Sequence, residues 1–110
     1  MRSMPLAKLE AFEDSTVRLA GFARALAHPA RIEILRFLAG KGEVACMDIV
    51  AALPLSQPAT SRHVNELKRA GLLKSRASGN HVWFQIDESA LGSFCESMGG
   101  TLHPSRPCEG

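Results

Sequence analysis

The sequence predicts a mainly helical domain that carries one β-hairpin, in the order ααααββα. Three observations support this class. Apolar residues recur every three to four positions over most of the chain, which is typical of amphipathic helices. The clearest alternation of apolar and polar residues comes late, after a Ser-Gly-Asn turn signal. The 110 residues are 45% hydrophobic and include three cysteines, so one globular domain without a disulfide framework is expected.

Two helices are predicted before residue 40. The first spans about 6–27, where apolar residues recur on one helical face. With the polar Thr16 among them, the residues spaced for this face are Leu6, Leu9, Phe12, Thr16, Leu19, Ala23 and Leu26. Pro29 suits the first turn of the second helix, because that turn has no intrahelical N–H bond to lose. Gly40 and Gly42 end this second helix, whose broad apolar face predicts a position in the core.

The next two helices are predicted to be separated by a tight turn. A short extended segment over 43–45 leads into a third helix over about 46–53, which Pro54 ends. Ser56 is placed to cap the fourth helix by accepting a backbone N–H bond. The fourth helix then continues to Gly71, a residue that favours the conformation found just after a helix.

A β-hairpin and a final helix complete the predicted order. The strands are 72–77 and 81–86, and the turn between them contains a glycine and an asparagine. The final helix begins near Asp87 and is expected to end at Gly99 and Gly100. Its apolar face carries Leu91, Phe94, Cys95 and Met98.

Basic residues are concentrated in one quarter of the chain. Residues 56–81 hold five cations and one acid, a net charge of +4, whereas the remaining eight cations and ten acids give −2. The five cations are Arg62, Lys68, Arg69, Lys74 and Arg76. Such a segment is typical of a surface that binds a polyanion, although a solvated basic helix face would have the same composition.

A short helix, a tight turn and a longer polar helix make a helix-turn-helix pattern, whose second helix enters the major groove of DNA. The side chains expected to face DNA from this helix are Ser56, Gln57, Thr60, Ser61, Arg62, His63, Asn65 and Lys68. For His63, packing or a phosphate contact is favoured over reading a base. The hairpin would act as a wing. Its predicted DNA contacts are Lys74, Arg76 and Asn80.

The segments "LAHPARIEILRFLAG" and "DIVAALPLSQPATSRHVNELKRAGLL", with the hairpin after them, resemble the ArsR family of small winged-helix repressors. The resemblance covers roughly residues 19–87. It implies a homodimer formed through the first and last helices. It also implies that the dimer binds double-stranded operator DNA and releases it when an inducer binds or oxidises the protein.

The family's zinc-type sites look incomplete in this chain. Many members carry two cysteines in a Glu-Leu-Cys-Val-Cys-Asp-Leu motif, but "EVACMDI" has Ala45 and Met47 at those places and Cys46 between them. The family's second site uses acids and histidines of the last helix. Here that helix offers Asp87, Glu88 and Glu96, with His103 beyond it. No metal ligand set is therefore assigned, and no cofactor is expected with certainty.

Three thiols remain as candidate sensors of arsenite or of a thiol-reactive inducer, namely Cys95, Cys108 and Cys46. The alternative is that Cys95 is a core residue and Cys108 is incidental, so that thiols do not control DNA binding. A cysteine near a helix start, such as Cys46, can have a lowered thiol pKa, but more often it packs as a small hydrophobic residue.

The remaining predictions concern the whole chain. Residues 1–110 are expected to form one domain with flexible tails at 1–5 and 101–110, in the cytoplasm and outside any membrane. No enzyme is predicted. Ser56, Ser61 and His63 have no acidic partner at a spacing that indicates a catalytic site, and no glycine-rich phosphate loop is present. The alternative to a DNA-binding regulator is a winged-helix module that contacts only proteins.

Overall fold

The computed structural model describes residues 11–104, which form five helices and a three-stranded antiparallel sheet. The helices are α1 (Asp14–Ala25), α2 (Pro29–Leu38), α3 (Cys46–Ala52), α4 (Gln57–Arg69) and α5 (Glu88–Leu102). The strands are β1 (Val44–Ala45), β2 (Leu73–Ser78) and β3 (His81–Ile86). This architecture confirms the predicted fold class, a mainly helical winged helix-turn-helix.

Side-chain caps begin three of the helices, namely α2, α4 and α5. The Nδ1 atom of His28 accepts the backbone N–H of Ala30 at 3.0 Å, at the start of α2. The Ser56 hydroxyl accepts the N–H of Ala59 at 3.3 Å, as the sequence predicts for α4. Each such bond satisfies a donor that the first helical turn leaves without a partner, and is worth about 1 kcal/mol.

The end of α4 is set by a glycine. Gly71 follows the helix with a φ of +89°, a left-handed conformation that side chains with a Cβ rarely adopt. The backbone N–H of Gly71 donates to the carbonyl of Lys68, and the N–H of Leu72 donates to the carbonyl of Leu67. These bonds satisfy carbonyl groups at the end of the helix and direct the chain into β2.

The core lies between α2, α3, α4 and the inner face of the sheet. Its most deeply buried side chains are Ile34, Leu38, Ile49, Val64, Leu67 and Leu72. Burying an aliphatic side chain of this size contributes about 1.5–3 kcal/mol relative to leaving it in water. The α4 helix is therefore held by the same apolar contacts that hold the domain together.

The sheet has one inner and one outer face. Its strand order is β1-β3-β2, with Val44 opposite Phe84 and Arg76 opposite Trp83. Phe84 is buried in the core. Successive side chains of a strand point to opposite faces, and residues directly opposite each other share a face. Trp83 and Arg76 therefore lie on the outer face.

The first helix is shorter than the sequence predicts. Among the described residues α1 begins at Asp14, because Glu13 has an extended backbone with φ −61° and ψ 145°. The helix ends at Ala25 rather than at residue 27. Phe12 and Leu26 thus keep the helical spacing of apolar residues although they lie outside α1. Positions 6–10 of the predicted helix lie outside the described residues.

The last helix is longer than the sequence predicts. Gly99 and Gly100 were expected to end it, and that expectation is wrong, since α5 continues to Leu102. Neither glycine has a positive φ, and the carbonyl of Gly99 accepts the N–H of His103 at 2.8 Å. The first two residues of the predicted tail 101–110 are therefore helical. Residues 1–5 and 105–110 lie outside the described residues.

Within residues 11–104, none of the helices combines the length and the apolar character that crossing a membrane requires.

Candidate nucleic-acid interface

The α4 helix buries one face and exposes the other. Thr60, His63, Val64 and Leu67 are buried, at the spacing of successive helical turns. The exposed side chains on the opposite face and its flanks include Gln57, Arg62, Asn65 and Lys68. Four of the eight predicted contacts of this segment therefore face solvent as the sequence predicts. Exposed Ser56 also lies at the helix start, but its hydroxyl is used in the cap.

Thr60 does not face outward, which corrects its assignment as a DNA contact. Its side chain is fully buried, because it lies one turn before Val64 and two turns before Leu67 on the core face. Its Oγ1 atom is also the one buried side-chain polar atom in residues 11–104 that has no hydrogen-bond partner. Thr60 is therefore a core residue with an unsatisfied hydroxyl.

His63 is turned toward α2, which corrects its assignment as a DNA contact and favours packing. Its Nδ1 atom accepts a hydrogen bond from Nε of Arg31 at 3.2 Å, and its ring centroid lies 4.2 Å from that of His28. Burial lowers the pKa of His63 below its usual 6.5, and its electrostatic interactions with His28, Arg31 and Arg62 lower it further. The imidazole is therefore held in its neutral form, the form that accepts at Nδ1.

Ser61 lies at the edge of the exposed face. It is half-buried and lines an open cavity of about 320 Å³ between α4 and the sheet, together with Asn65 and Lys68. Cys46 and Val82 form the other side of this cavity. The core residues Val64 and Phe84 also line it, so Ser61 lies at the boundary between the core and the exposed face of α4.

The wing contacts predicted from the sequence are all exposed. Lys74 and Arg76 are on β2, and Asn80 is the second residue of the two-residue turn, whose first residue, Gly79, has a φ of +61°. The Arg76 side chain crosses the outer face of the sheet. Its Nε atom donates to Glu43 at 2.7 Å, and its guanidinium carbon lies 6.0 Å from the centroid of the Trp83 ring.

The Glu43–Arg76 pair therefore links the segment before β1 to β2, with the β3 residue Trp83 between them. The hydrogen bond from Arg76 is the main cause that lowers the pKa of Glu43; desolvation opposes it, and the attraction of the positive charge of Arg76 lowers the pKa further. Glu43 is consequently charged at neutral pH. No pattern within either segment indicates this contact, since the partners are 33 residues apart.

Ion pairing divides the five cations of the basic segment into two groups. Arg69 pairs with Glu66 at 2.8 Å and Arg76 pairs with Glu43. Within residues 11–104, the other three have no ion-pair partner, and they are Arg62, Lys68 and Lys74. Those three charges remain fully available to a polyanion.

The candidate thiols are not gathered into one site by the described residues. Cys46 and Cys95 are free, half-buried cysteines on α3 and α5, and Cys108 lies outside the described residues. Across residues 11–104, the structure brings together no group of three or more His, Cys, Asp and Glu side chains that could hold a metal ion.

Known proteins are similar to this chain in both sequence and fold. A family model described as a helix-turn-helix domain matches residues 26–76. The chain is 35% identical over 69 residues to an uncharacterized HTH-type transcriptional regulator of Methanocaldococcus jannaschii, covering 63% of this chain and 78% of the relative. It is 30% identical over 92 residues to the transcriptional repressor SmtB homolog of a Synechocystis species, covering 84% of this chain and 69% of the relative.

A solved structure extends this similarity to the whole architecture. It is the homodimeric winged helix-turn-helix DNA-binding domain of a Mycobacterium bovis protein, described as a possible ArsR-family transcriptional regulator. The two chains are 26% identical with a TM-score of 0.65, and the match covers 86% of this chain and 83% of the other.

The buried hydroxyl of Thr60 gives a first testable prediction. Thr60→Val keeps the branched shape and removes a polar atom that has no partner, so the free energy of unfolding should rise by about 1 kcal/mol in urea denaturation. Ser78→Ala is the control, because it removes a hydroxyl that is exposed at the end of β2, and it should change stability by less than about 0.5 kcal/mol. A loss of stability in Thr60→Val alone would contradict this account of the hydroxyl.

Proposed function

The chain belongs to the ArsR family of winged helix-turn-helix transcriptional regulators, and from that premise we propose that it is a homodimeric repressor that binds operator DNA. In this proposal α4 enters the major groove and the hairpin touches the neighbouring backbone. An inducer that reacts with thiols releases the repressor from the DNA.

The observation that carries this proposal is the exposed face of α4. It presents the side-chain amides of Gln57 and Asn65 and two cations, Arg62 and Lys68. Neither cation has an ion-pair partner among residues 11–104. Amides and guanidinium groups form paired hydrogen bonds with base edges, and free backbone N–H groups at a helix start favour phosphate. A solvated helix face would not need the amides and unpaired cations to share one side.

Dimerisation through α1 and α5 is supported by their packing. The rings of Phe22 and Phe94 meet edge to face at 5.9 Å, which joins the two helices. In the single chain no residue of α5 is fully buried, and its apolar face is only half covered. Phe12 and Leu102 are 49% and 72% exposed. A second copy would cover such a surface, and the related M. bovis domain is homodimeric.

The salt dependence of operator binding tests the electrostatic part of this proposal. Three cations of the basic segment in each protomer have no ion-pair partner among the described residues, so a dimer that neutralises roughly six phosphates should show a log–log salt slope of about −5. Glu43→Gln should release Arg76, steepen the slope to about −7 and strengthen binding to any DNA. Fluorescence anisotropy with labelled duplexes measures both quantities.

The matched control for that test is Glu33→Gln, which removes the same charge from a pair with Arg36 on α2, outside the basic segment. It should leave the slope unchanged. Equal effects of the two substitutions would mean that net charge, and not the release of Arg76, changes binding. A folded dimer that binds no DNA at any salt concentration would favour a protein-interaction module instead.

A second pair of substitutions separates base reading from phosphate binding. Arg62→Ala should cost about 1–3 kcal/mol on the operator and relax the preference at one base position, because Arg62 lies exposed on α4. Lys74→Ala on the wing should weaken operator and random DNA equally and reduce the salt slope. The assignment is wrong if both variants lose the same affinity on both kinds of DNA.

The proposed inducer acts at Cys95. This half-buried thiol follows Phe94, whose ring joins α5 to α1, so a modified Cys95 would disturb the contact between the two helices. Wild-type operator affinity should fall in arsenite or oxidant relative to reductant, and Cys95→Ser should not respond. Cys46→Ser is the control for a thiol on α3, and Cys108→Ser tests the third cysteine. Constant wild-type affinity in all three conditions would rule out thiol control.

A further inference from the structure

One arginine of α2 links the end of α1 to α4, the helix proposed to face DNA. Arg31 lies half-buried in the first turn of α2. Its Nε atom donates to Nδ1 of His63 on α4 at 3.2 Å, and its Nη1 atom donates to the carbonyl of Ala25 at 3.1 Å. Ala25 is the last residue of α1. A single side chain therefore connects the end of α1 to the middle of α4.

The two bonds use properties that only a guanidinium combines. The carbonyl of Ala25 belongs to the last turn of α1, where the helix dipole favours a positive charge. The planar guanidinium donates in fixed, diverging directions, so it can reach this carbonyl and the imidazole at once. A lysine would keep the charge but lose that geometry.

The Nδ1 atom of His63 can accept the hydrogen bond from Arg31 only when the imidazole is neutral. A protonated His63 would carry hydrogen on Nδ1 and could not accept from Arg31. The other charged or titratable groups that act on it are His28 and Arg62, and neither is an acid that would stabilise the protonated ring. His28 packs on the ring at 4.2 Å while its own Nδ1 caps α2. The bond from Arg31 is therefore present when His63 is neutral and lost on protonation.

The direction of this pH effect follows from the lowered pKa of His63. The unfolded chain takes up a proton near pH 6.5, before the folded chain does. The stabilisation from neutral His63 is thus complete above about pH 6.5 and decreases as the pH falls below that value.

We propose that Arg31 is a positioning residue for DNA recognition, which fixes the placement of α4 relative to α1 through neutral His63. This inference rests on the proposed function. Because α1 packs on α5 through Phe22 and Phe94, the end of α1 moves with the helices that are proposed to form the dimer. Arg31 then sets how the α4 helices of the two protomers are held for one operator.

The test compares operator and random DNA at pH 7.5 and 5.5. At pH 7.5 Arg31→Lys should lower the operator-to-random affinity ratio about tenfold, since one charge-assisted hydrogen bond is lost. Its affinity for random DNA should change little, because its charge is unchanged. His63→Gln should keep a ratio close to that of wild type, because the glutamine carbonyl can accept from Arg31 at any pH.

The pH profile separates positioning from a merely structural role. As the pH falls from 7.5 to 5.5 the wild-type ratio should decrease toward that of Arg31→Lys, while the ratio of His63→Gln should stay constant. His28→Asn is the matched control, because it removes the other histidine of the contact but keeps a side-chain acceptor for the α2 cap, and it should leave the wild-type profile unchanged. Circular dichroism at each pH verifies that every variant is folded.

Two outcomes would overturn the inference in distinguishable ways. If Arg31→Lys keeps the wild-type ratio at pH 7.5, or if His63→Gln follows a pH-dependent wild-type profile, Arg31 does not position α4 through neutral His63 and the proposed function stands. If folded wild type binds no DNA at pH 7.5, the proposed function fails and this inference fails with it.

Discussion

The structure depends on the burial of one face of α4. The side chains of Val64 and Leu67 are part of the core, so the helix cannot rotate about its axis without exposing them. The 3.6-residue period then fixes the direction of every other side chain on α4. Arg62 and Asn65 face solvent because the core requires Val64 to face inward. One set of apolar contacts thus both stabilises the domain and orients its polar surface.

Local signals were sufficient to predict the order of the helices and strands. They were not sufficient to predict the bounds of α1 and α5 or all of the site residues. Ser56 and Gly71 define α4 through chemistry that acts within a few residues, so both were predictable. Thr60 was misassigned because a hydroxyl was given more weight than its spacing to Val64 and Leu67. Arg31 bonds to a residue 32 positions away, and only the packing of α2 on α4 determines that distance. The helical Gly99 lacks the positive φ that would have ended α5.

The helix-turn-helix family model matches the middle of the chain. The family model covers residues 26–76, which include α2, α3, α4 and the start of the hairpin, and it leaves α1 and α5 outside. The matched part contains the helix-turn-helix and the His28–Arg31–His63 contacts. The unmatched helices hold the half-exposed apolar faces and Cys95. The family model therefore describes the part of the chain that positions α4, and the helices at which a second subunit and an inducer are proposed to act lie outside it.

The position of Trp83 gives the wing an intrinsic optical label. It is the only tryptophan of the sequence, and it lies on the outer sheet face between the guanidinium of Arg76 and the ring of His81, whose centroid is 6.3 Å away. Indole emission responds to a nearby charge and to the polarity around the ring. Any event that draws Arg76 away from the sheet would therefore change the emission of Trp83. The wing can be followed in solution without attaching a dye.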